Sequence, residues 1–172
     1  KAAQREHPRS LCMLGLCYEL GRGVAEDKER AVELYRQAAE KGNVTAQCNL
    51  GYCYYTGIGV EEDDGEAAKW FAKAAGQGQP RALFLLGECY EEGHGVGRDL
   101  KQARSLYQKA ADKGYRSAKE ALERLDSAPK SSPSSSYTYI PPASGTQPKK
   151  PEVKEKAKEK PKRGGLFGFF KK

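Results

Sequence analysis

Apolar residues recur along the first part of the chain at spacings of three and four. The clearest stripe is Ala31, Leu34, Tyr35, Ala38 and Ala39. It returns as Ala67, Trp70, Phe71, Ala74 and Ala75, and again as Ala103, Leu106, Tyr107, Ala110 and Ala111. Positions i, i+3, i+4, i+7 and i+8 line one side of an α-helix, with polar residues on the other. They predict helices over about 28–41, 64–77 and 100–113. Each is preceded by a second helical stretch, over about 8–20, 44–56 and 80–92, whose end carries a glycine signature. Leu14-Gly15-Leu16-Cys17-Tyr18 leads to Gly21 and Gly23-Val24; Leu50-Gly51-Tyr52-Cys53-Tyr54 leads to Gly57 and Gly59-Val60; Leu86-Gly87-Glu88-Cys89-Tyr90 leads to Gly93 and Gly95-Val96. The offset is 36 residues each time, and a fixed period of that length marks a helical repeat array.

The punctuation between the stripes agrees. Pro8 and Pro80 fit a first helical turn, where a missing N–H costs nothing. Asn43, Asp27, Asp63 and Asp99 stand where N-caps belong, and the Asp63/Glu66 and Asp99/Gln102 spacings predict reciprocal capping boxes. Gly42, Gly78 and Gly114 stop the second helix of each pair. Gly15, Gly51 and Gly87 instead lie inside the first helix, where glycine costs roughly 1 kcal/mol against alanine; its presence in every repeat predicts close approach of a neighbouring helix. Ala46, Ala82 and Ala118, with Ser10 in the first repeat, predict the same, and Tyr18, Tyr54 and Tyr90 are expected to wedge between the two helices of a pair. A last, more polar helix over about 116–125 reads as a cap. Lys1-Ala2-Ala3 aligns with Lys73-Ala74-Ala75 and Lys109-Ala110-Ala111, so the chain is expected to open inside a second helix and to be a C-terminal fragment of a longer array.

The pattern Ala82, Leu86-Gly87, Tyr90, Gly93, Gly95-Val96, Asp99, Ala103, Tyr107, Ala110-Ala111 and Gly114 resembles the Sel-1-like repeat, a relative of the tetratricopeptide repeat. It recurs three times within residues 1–126, with partial units at both ends. The resemblance implies an all-α fold, a right-handed α-solenoid of stacked antiparallel helix pairs. It also implies an adaptor or scaffold role in protein assemblies, with no catalysis. Some bacterial members of that family are rich in cysteine, with disulfides tying the second helix of one pair to the next first helix. Here Cys12, Cys17, Cys48, Cys53 and Cys89 all fall in first helices, so that chemistry does not carry over.

Charge divides the chain in two. Residues 1–126 hold 19 Lys/Arg against 20 Asp/Glu, a net of −1, and residues 127–172 hold 11 against 3, a net of +8. The basicity therefore belongs to a tail. The cysteines take two repeat positions, one of which carries Phe84 in the third repeat. Equivalent positions in stacked repeats lie roughly 10 Å apart, beyond the reach of a disulfide. Buried, reduced thiols and a reducing, cytoplasmic compartment are the expectation. No run of about 18 apolar residues spans a membrane.

Candidate chemistry is sparse. His94 fills a loop position that holds Arg22 and Ile58 elsewhere, His7 a cap position, and both read as exposed bystanders. No nucleophile, base and orienter assemble, and neither a cofactor nor a metal site is expected. Glu61-Glu62-Asp63-Asp64 lacks calcium-loop spacing and reads as a solvated helix start. Asn43-Val44-Thr45 is a formal glycosylation sequon that reads as a helix cap. What varies between repeats is more telling. On the first helices, away from the Gly/Tyr packing, stand Met13, Leu16 and Leu20, then Asn49, Tyr52, Tyr55 and Thr56, then Leu85, Glu88 and Glu92. In related solenoids the first helices line the concave face, so these residues form a candidate partner groove graded from apolar to acidic, with Tyr52 and Tyr55 as rigid anchors. Alternatively, Met13, Leu16 and Leu20 pack on an upstream repeat.

From Ser127 the composition turns to Ser and Pro and then, over Lys149 to Arg163, to lysine, which predicts a disordered C-terminal tail. It ends in Leu166, Phe167, Phe169, Phe170, Lys171 and Lys172. Aromatic plugs beside a basic run suit an anionic membrane surface; docking on a second protein and plain solubilising disorder are the alternatives. Nucleic acid is disfavoured, because the lysines are not interleaved with stacking aromatics. The expected function is a non-enzymatic adaptor with a helical groove for one protein partner and the tail as a second contact. The alternative is tethering at a membrane surface, or regulation of an enzyme encoded elsewhere or upstream.

Overall fold

The computed structural model describes residues 7–127, and among them the chain forms seven α-helices and no strand. The first helices of the pairs are α1 (Pro8–Leu20), α3 (Val44–Thr56) and α5 (Pro80–Glu92), the A helices. The second helices are α2 (Lys28–Glu40), α4 (Asp64–Gly76) and α6 (Leu100–Asp112), the B helices, and α7 (Arg116–Ser127) follows. The A helices occupy the expected spans. The B helices stop one residue short, because Lys41, Gln77 and Lys113 already leave helical geometry ahead of Gly42, Gly78 and Gly114. α7 runs past its expected end to Ser127, whose hydroxyl donates to the Glu123 carbonyl at 2.8 Å. Lys1 to Glu6, read as the end of an upstream helix, and the tail from Ala128 onward, including Leu166, Phe167, Phe169, Phe170, Lys171 and Lys172, lie outside the described residues.

Each helix packs chiefly on its sequence neighbours, α1 on α2, α2 on α3, and so on to α7. This is the one-dimensional contact pattern of a solenoid. Within a pair, an aromatic ring of the B helix lies against bare backbone of the A helix. A Cβ on Gly15 would stand 2.9 Å from the Tyr35 ring, one on Gly51 2.8 Å from Phe71, and one on Gly87 2.6 Å from Tyr107. All three rings are fully buried. These rings, and not Tyr18, Tyr54 and Tyr90, are the wedges between the helices. The latter three are half-buried at the edge of the core, where the Tyr54 hydroxyl accepts from Arg36 at 2.9 Å. Ala46, Ala82 and Ala118 are wholly buried, as small residues at helix contacts should be, whereas Ser10, at the same position in the first repeat, is exposed.

The N-cap aspartates act as expected on one side: Asp27 accepts from the Arg30 amide at 2.8 Å, Asp63 from Glu66 at 2.9 Å, and Asp99 from Gln102 at 3.1 Å. The reciprocal half of the capping box is not made. The amides of Asp27, Asp63 and Asp99 donate instead to the carbonyls of Tyr18, Tyr54 and Tyr90, near the end of the preceding A helix, at 2.9, 2.9 and 2.8 Å. The loop folds back far enough to spend that donor on the A helix, and the Glu66 carboxylate turns to Lys69 at 2.6 Å. One amide thereby closes each A–loop–B unit.

Consecutive repeats meet backbone to backbone. Gly59 lies on the carbonyl of Lys28, and Gly95 on that of Asp64, each the first residue of the B helix one repeat earlier. A Cβ on either glycine would overlap that peptide group. Gly23, at the same repeat position, has nothing within 4 Å of its would-be Cβ. Side chains reinforce the joints. Gln47, a buried polar residue at a position occupied by Leu11 and Leu83 in the other repeats, donates to the Ala39 carbonyl at 3.1 Å and accepts from Gln77 at 2.8 Å.

All five cysteines are free; Cys12, Cys48, Cys53 and Cys89 are buried, whereas Cys17 is half-buried, against expectation, at the outer edge of α1. Burial pushes the thiols of Cys12 and Cys48 up to about 11 and that of Cys53 to about 12.

Candidate functional site: the A-helix face

Side chains cross from one A helix to the next. Arg81 on α5 donates to the Asn49 side chain on α3 at 3.3 Å and lies over the Tyr52 ring, 5.1 Å from its centroid. Arg124 on α7 donates to Glu91 on α5 at 2.7 Å. The A helices and α7 therefore form one continuous face. One repeat position on it carries Leu16, Tyr52, Glu88 and Arg124 in turn, which are four different chemistries on equivalent turns of helix.

Of the residues the sequence assigns to the groove, Met13 and Leu20 are exposed, at 59% and 39%, and Leu16, Asn49, Tyr52, Tyr55, Thr56 and Glu88 are half-buried. Glu92 is exposed. Leu85 is a correction: it is buried within the core and presents nothing to a partner. Its position is shared with Asn49, whose side chain meets Arg81 of the next A helix, and with the exposed Met13. Thr56 returns its hydroxyl to the Tyr52 carbonyl at 2.8 Å. Tyr55 packs edge-on against Phe71 and against His94, with ring centroids 6.1 Å apart in both cases.

His94 is thus not the bystander that its loop position suggests. Its Nδ1 lies 3.4 Å from a carboxylate oxygen of Asp64, 30 positions earlier in the sequence, beside the Gly95–Asp64 backbone joint. The acidic run of residues 61–64 resolves likewise into parts: Asp63 caps α4 and Asp64 meets His94. The sequon asparagine Asn43 accepts from the Ala46 amide at 2.8 Å, as a helix cap.

Sequence reasoning missed a lock inside each repeat. The Tyr35 hydroxyl donates to Glu19 at 2.5 Å and the Tyr107 hydroxyl to Glu91 at 2.7 Å. In the second repeat both partners change together, to Tyr55 and Phe71, and an aromatic contact replaces the hydrogen bond. Burial and the facing glutamate raise both phenols well above the ordinary range. Comparing the 19/55/91 column with the 35/71/107 column exposes the exchange in the sequence itself.

Glu88 differs from its neighbours. Glu91 takes both Tyr107 and Arg124, and among the described residues no hydrogen bond or ion pair reaches the Glu88 carboxylate. Burial pushes Glu88 up to about 7; Arg124 opposes that shift, while Glu91 and Glu92 add to it. Among the described residues, no cluster of three or more His, Cys, Asp or Glu is placed to hold a metal, and no helix is long and apolar enough to cross a membrane.

Stacked helix pairs with bare-backbone contacts, joined every 36 residues, define an α-solenoid of the tetratricopeptide-like class. The family profile described as Sel1 repeat matches residues 8–43, 44–79 and 80–115, well over half of the chain, and the protein belongs to the Sel1 repeat family. Proteins of this family generally serve as interaction scaffolds, bind other proteins, and are typically non-enzymatic. Among solved structures, the chain is similar to c5321 of uropathogenic Escherichia coli, a protective antigen displaying an SLR fold. The identity is 41% and the TM-score 0.69, over 72% of this chain and 27% of that one. It is similar to a Sel1 repeat protein from Oxalobacter formigenes at 35% identity and a TM-score of 0.68, over 73% of this chain and 51% of that one. It is also similar to the Helicobacter pylori cysteine rich protein B at 26% identity and a TM-score of 0.57, over 67% of this chain and 89% of that one. The chain spans about a quarter and about half of the first two relatives. A search of curated proteins gives no match.

Proposed function

We propose that the protein is a non-enzymatic scaffold that holds a segment of a protein partner along the A-helix face. One observation carries this. The glycine and alanine columns at the helix contacts (Gly15, Gly51 and Gly87; Gly23, Gly59 and Gly95; Ala46, Ala82 and Ala118) are constant, whereas the column Leu16, Tyr52, Glu88 and Arg124, half-buried to exposed on the A-helix face, changes character at every step. Variable side chains arrayed on a rigid support suit peptide recognition. Tyr52, half-buried and stacked by Arg81, is the central anchor: it offers a large rigid surface at low entropic cost. The test is site-specific photocrosslinking from position 52 and, separately, from the B-helix position 69, in cells. Adducts from 52 and not from 69 support the face; adducts from 69 and none from 52 would remove it.

The tail is the second contact, on its sequence: a Lys-rich run followed by an aromatic end is able to engage a surface apart from the groove and to raise the local concentration of what the groove holds. Flotation with anionic liposomes, comparing the full chain with one ending at Arg163, tests whether that surface is a membrane. Equal flotation, or none, points the tail to a protein instead.

A further inference from the structure

Building on the scaffold reading, we propose that Glu88 is the recognition point for a lysine or arginine side chain of the partner segment. The carboxylate is half-buried on the A-helix face. It is set among groups from every element packed around it: Tyr52 of α3, Tyr107 of α6, Tyr115 ahead of α7, Arg124 of α7, and Glu91 and Glu92 of its own helix. The charge of Glu88 contributes to raising the three phenols, behind their burial, which places them all within electrostatic reach of it.

The nearest cation does not satisfy it. Arg124, the residue at the same position one repeat on, acts on Glu88 by its charge but donates to Glu91, where it shares an oxygen with the Tyr107 hydroxyl. The next, Arg81, lies two helical turns away, committed to Asn49 and the Tyr52 ring. Glu88 is left as a partly desolvated carboxylate with no donor. In an array where Glu19 and Glu91 are each locked by a tyrosine hydroxyl, a half-buried carboxylate without such a bond weakens the fold and gains a role when a donor arrives from outside. The surroundings select the donor. Glu91 and Glu92 add negative charge around it against the single Arg124, and the half-buried rings of Tyr52 and Tyr115 favour a cation over a neutral amide. The chain already shows this preference once, where Arg81 lies on Tyr52.

Neighbouring A-helix columns should stand roughly 10 Å apart, and an extended peptide advances about 3.3 Å per residue. A side chain over Tyr52 and the cation at Glu88 are therefore expected about three residues apart in the bound segment.

The test uses the full chain as bait for random twelve-residue peptides displayed on phage at pH 8. Selected peptides without histidine are synthesised with a fluorophore, and binding is read by polarisation. Three results are expected. Replacing one Lys or Arg by norleucine weakens binding about tenfold. E88Q weakens it by a similar factor, whereas E92Q changes it less than twofold. Affinity for the wild type rises between pH 6 and pH 8, as Glu88 ionises, and stays flat for E88Q. Peptides that lose binding with Y52A but ignore E88Q and the norleucine change would overturn the role of Glu88 and leave the A-helix face standing. Peptides indifferent to both Y52A and E88Q, or no enrichment at all, would count against the face as well.

Discussion

Three glycines at one repeat position offer a direct measure of what joins the repeats. Gly23, Gly59 and Gly95 share nearly one conformation, with φ of 74°, 67° and 67°. Alanine at any of them carries the same penalty for a left-handed residue, roughly 1–2 kcal/mol, offset by about 0.4–1 kcal/mol from the stiffer unfolded chain. Gly23→Ala should therefore cost about 1 kcal/mol, since nothing lies within 4 Å of its new methyl. At Gly59 and Gly95 the methyl meets the Lys28 and Asp64 peptide groups. Backbone at a helix start has no rotamer to change, so the loop must lift off the preceding repeat. Overpacking of that kind adds about 3 kcal/mol or more, for a total of about 4 kcal/mol out of a stability of roughly 5–15 kcal/mol. Urea unfolding followed by ellipticity at 222 nm supplies the three values. Fluorescence of Trp70, the one tryptophan of the chain and a residue of α4, reports the second repeat separately. The two signals should coincide for wild type and Gly23→Ala and separate for Gly95→Ala, because neighbouring repeats uncouple. Costs that agree within about 0.5 kcal/mol across the three variants would refute the backbone joint and leave conformation alone as the reason for glycine.

Other expectations concern charge and access. Glu88 is raised from 4.5 to about 7 in the folded chain, so the protonated form stabilises the fold fully below about pH 4.5, and that stability is lost as pH rises through 7. Glu88→Gln should match wild type in urea midpoint at pH 4 and exceed it above pH 7.5 by about 1–2 kcal/mol, after allowance for partial solvent access; equal midpoints at both pH values would show an unstressed carboxylate. Tyr107→Phe removes the donor to Glu91 and should cost about 1–2 kcal/mol, and adding Glu91→Tyr, which copies the Tyr55–Phe71 pair, should recover about half of it in the same titration. A double variant worse than the single one would mean that the two solutions are not interchangeable. Under a thiol reagent at pH 8, Cys17 should react first and Cys48, Cys53 and Cys89 on the timescale of unfolding, with the order read by mass spectrometry of digested samples.

The helices were legible because each repeat states its limits several times: a proline or cap residue, an apolar stripe, and a stopping glycine. Gly15, Gly51 and Gly87 announced close approach by standing where glycine is costly, although their partners were the B-helix rings of residues 35, 71 and 107 and not the tyrosines nearest in sequence. The capping boxes failed because a local rule took no account of a loop that returns the same amide to the A helix. The His94–Asp64 contact and the Gly95 joint depend on how far one repeat rotates on the next, and spacing alone does not carry that. Leu85 was misplaced for a related reason: helical periodicity separates two sides of a cylinder, whereas an A helix in the array is touched on three.

The two kinds of bond in this array differ in what they ask of sequence. The Glu19–Tyr35, Tyr55–Phe71 and Glu91–Tyr107 locks each have both members inside one unit, so they travel together whenever a unit is copied. The Gly59 and Gly95 seams lie on the peptide groups of Lys28 and Asp64, which any residue type on the preceding unit supplies. A duplicated or deleted unit then arrives with its own internal match and docks on whatever precedes it. Array length is in that sense free to drift by whole units, while the display column is left to diverge one residue at a time.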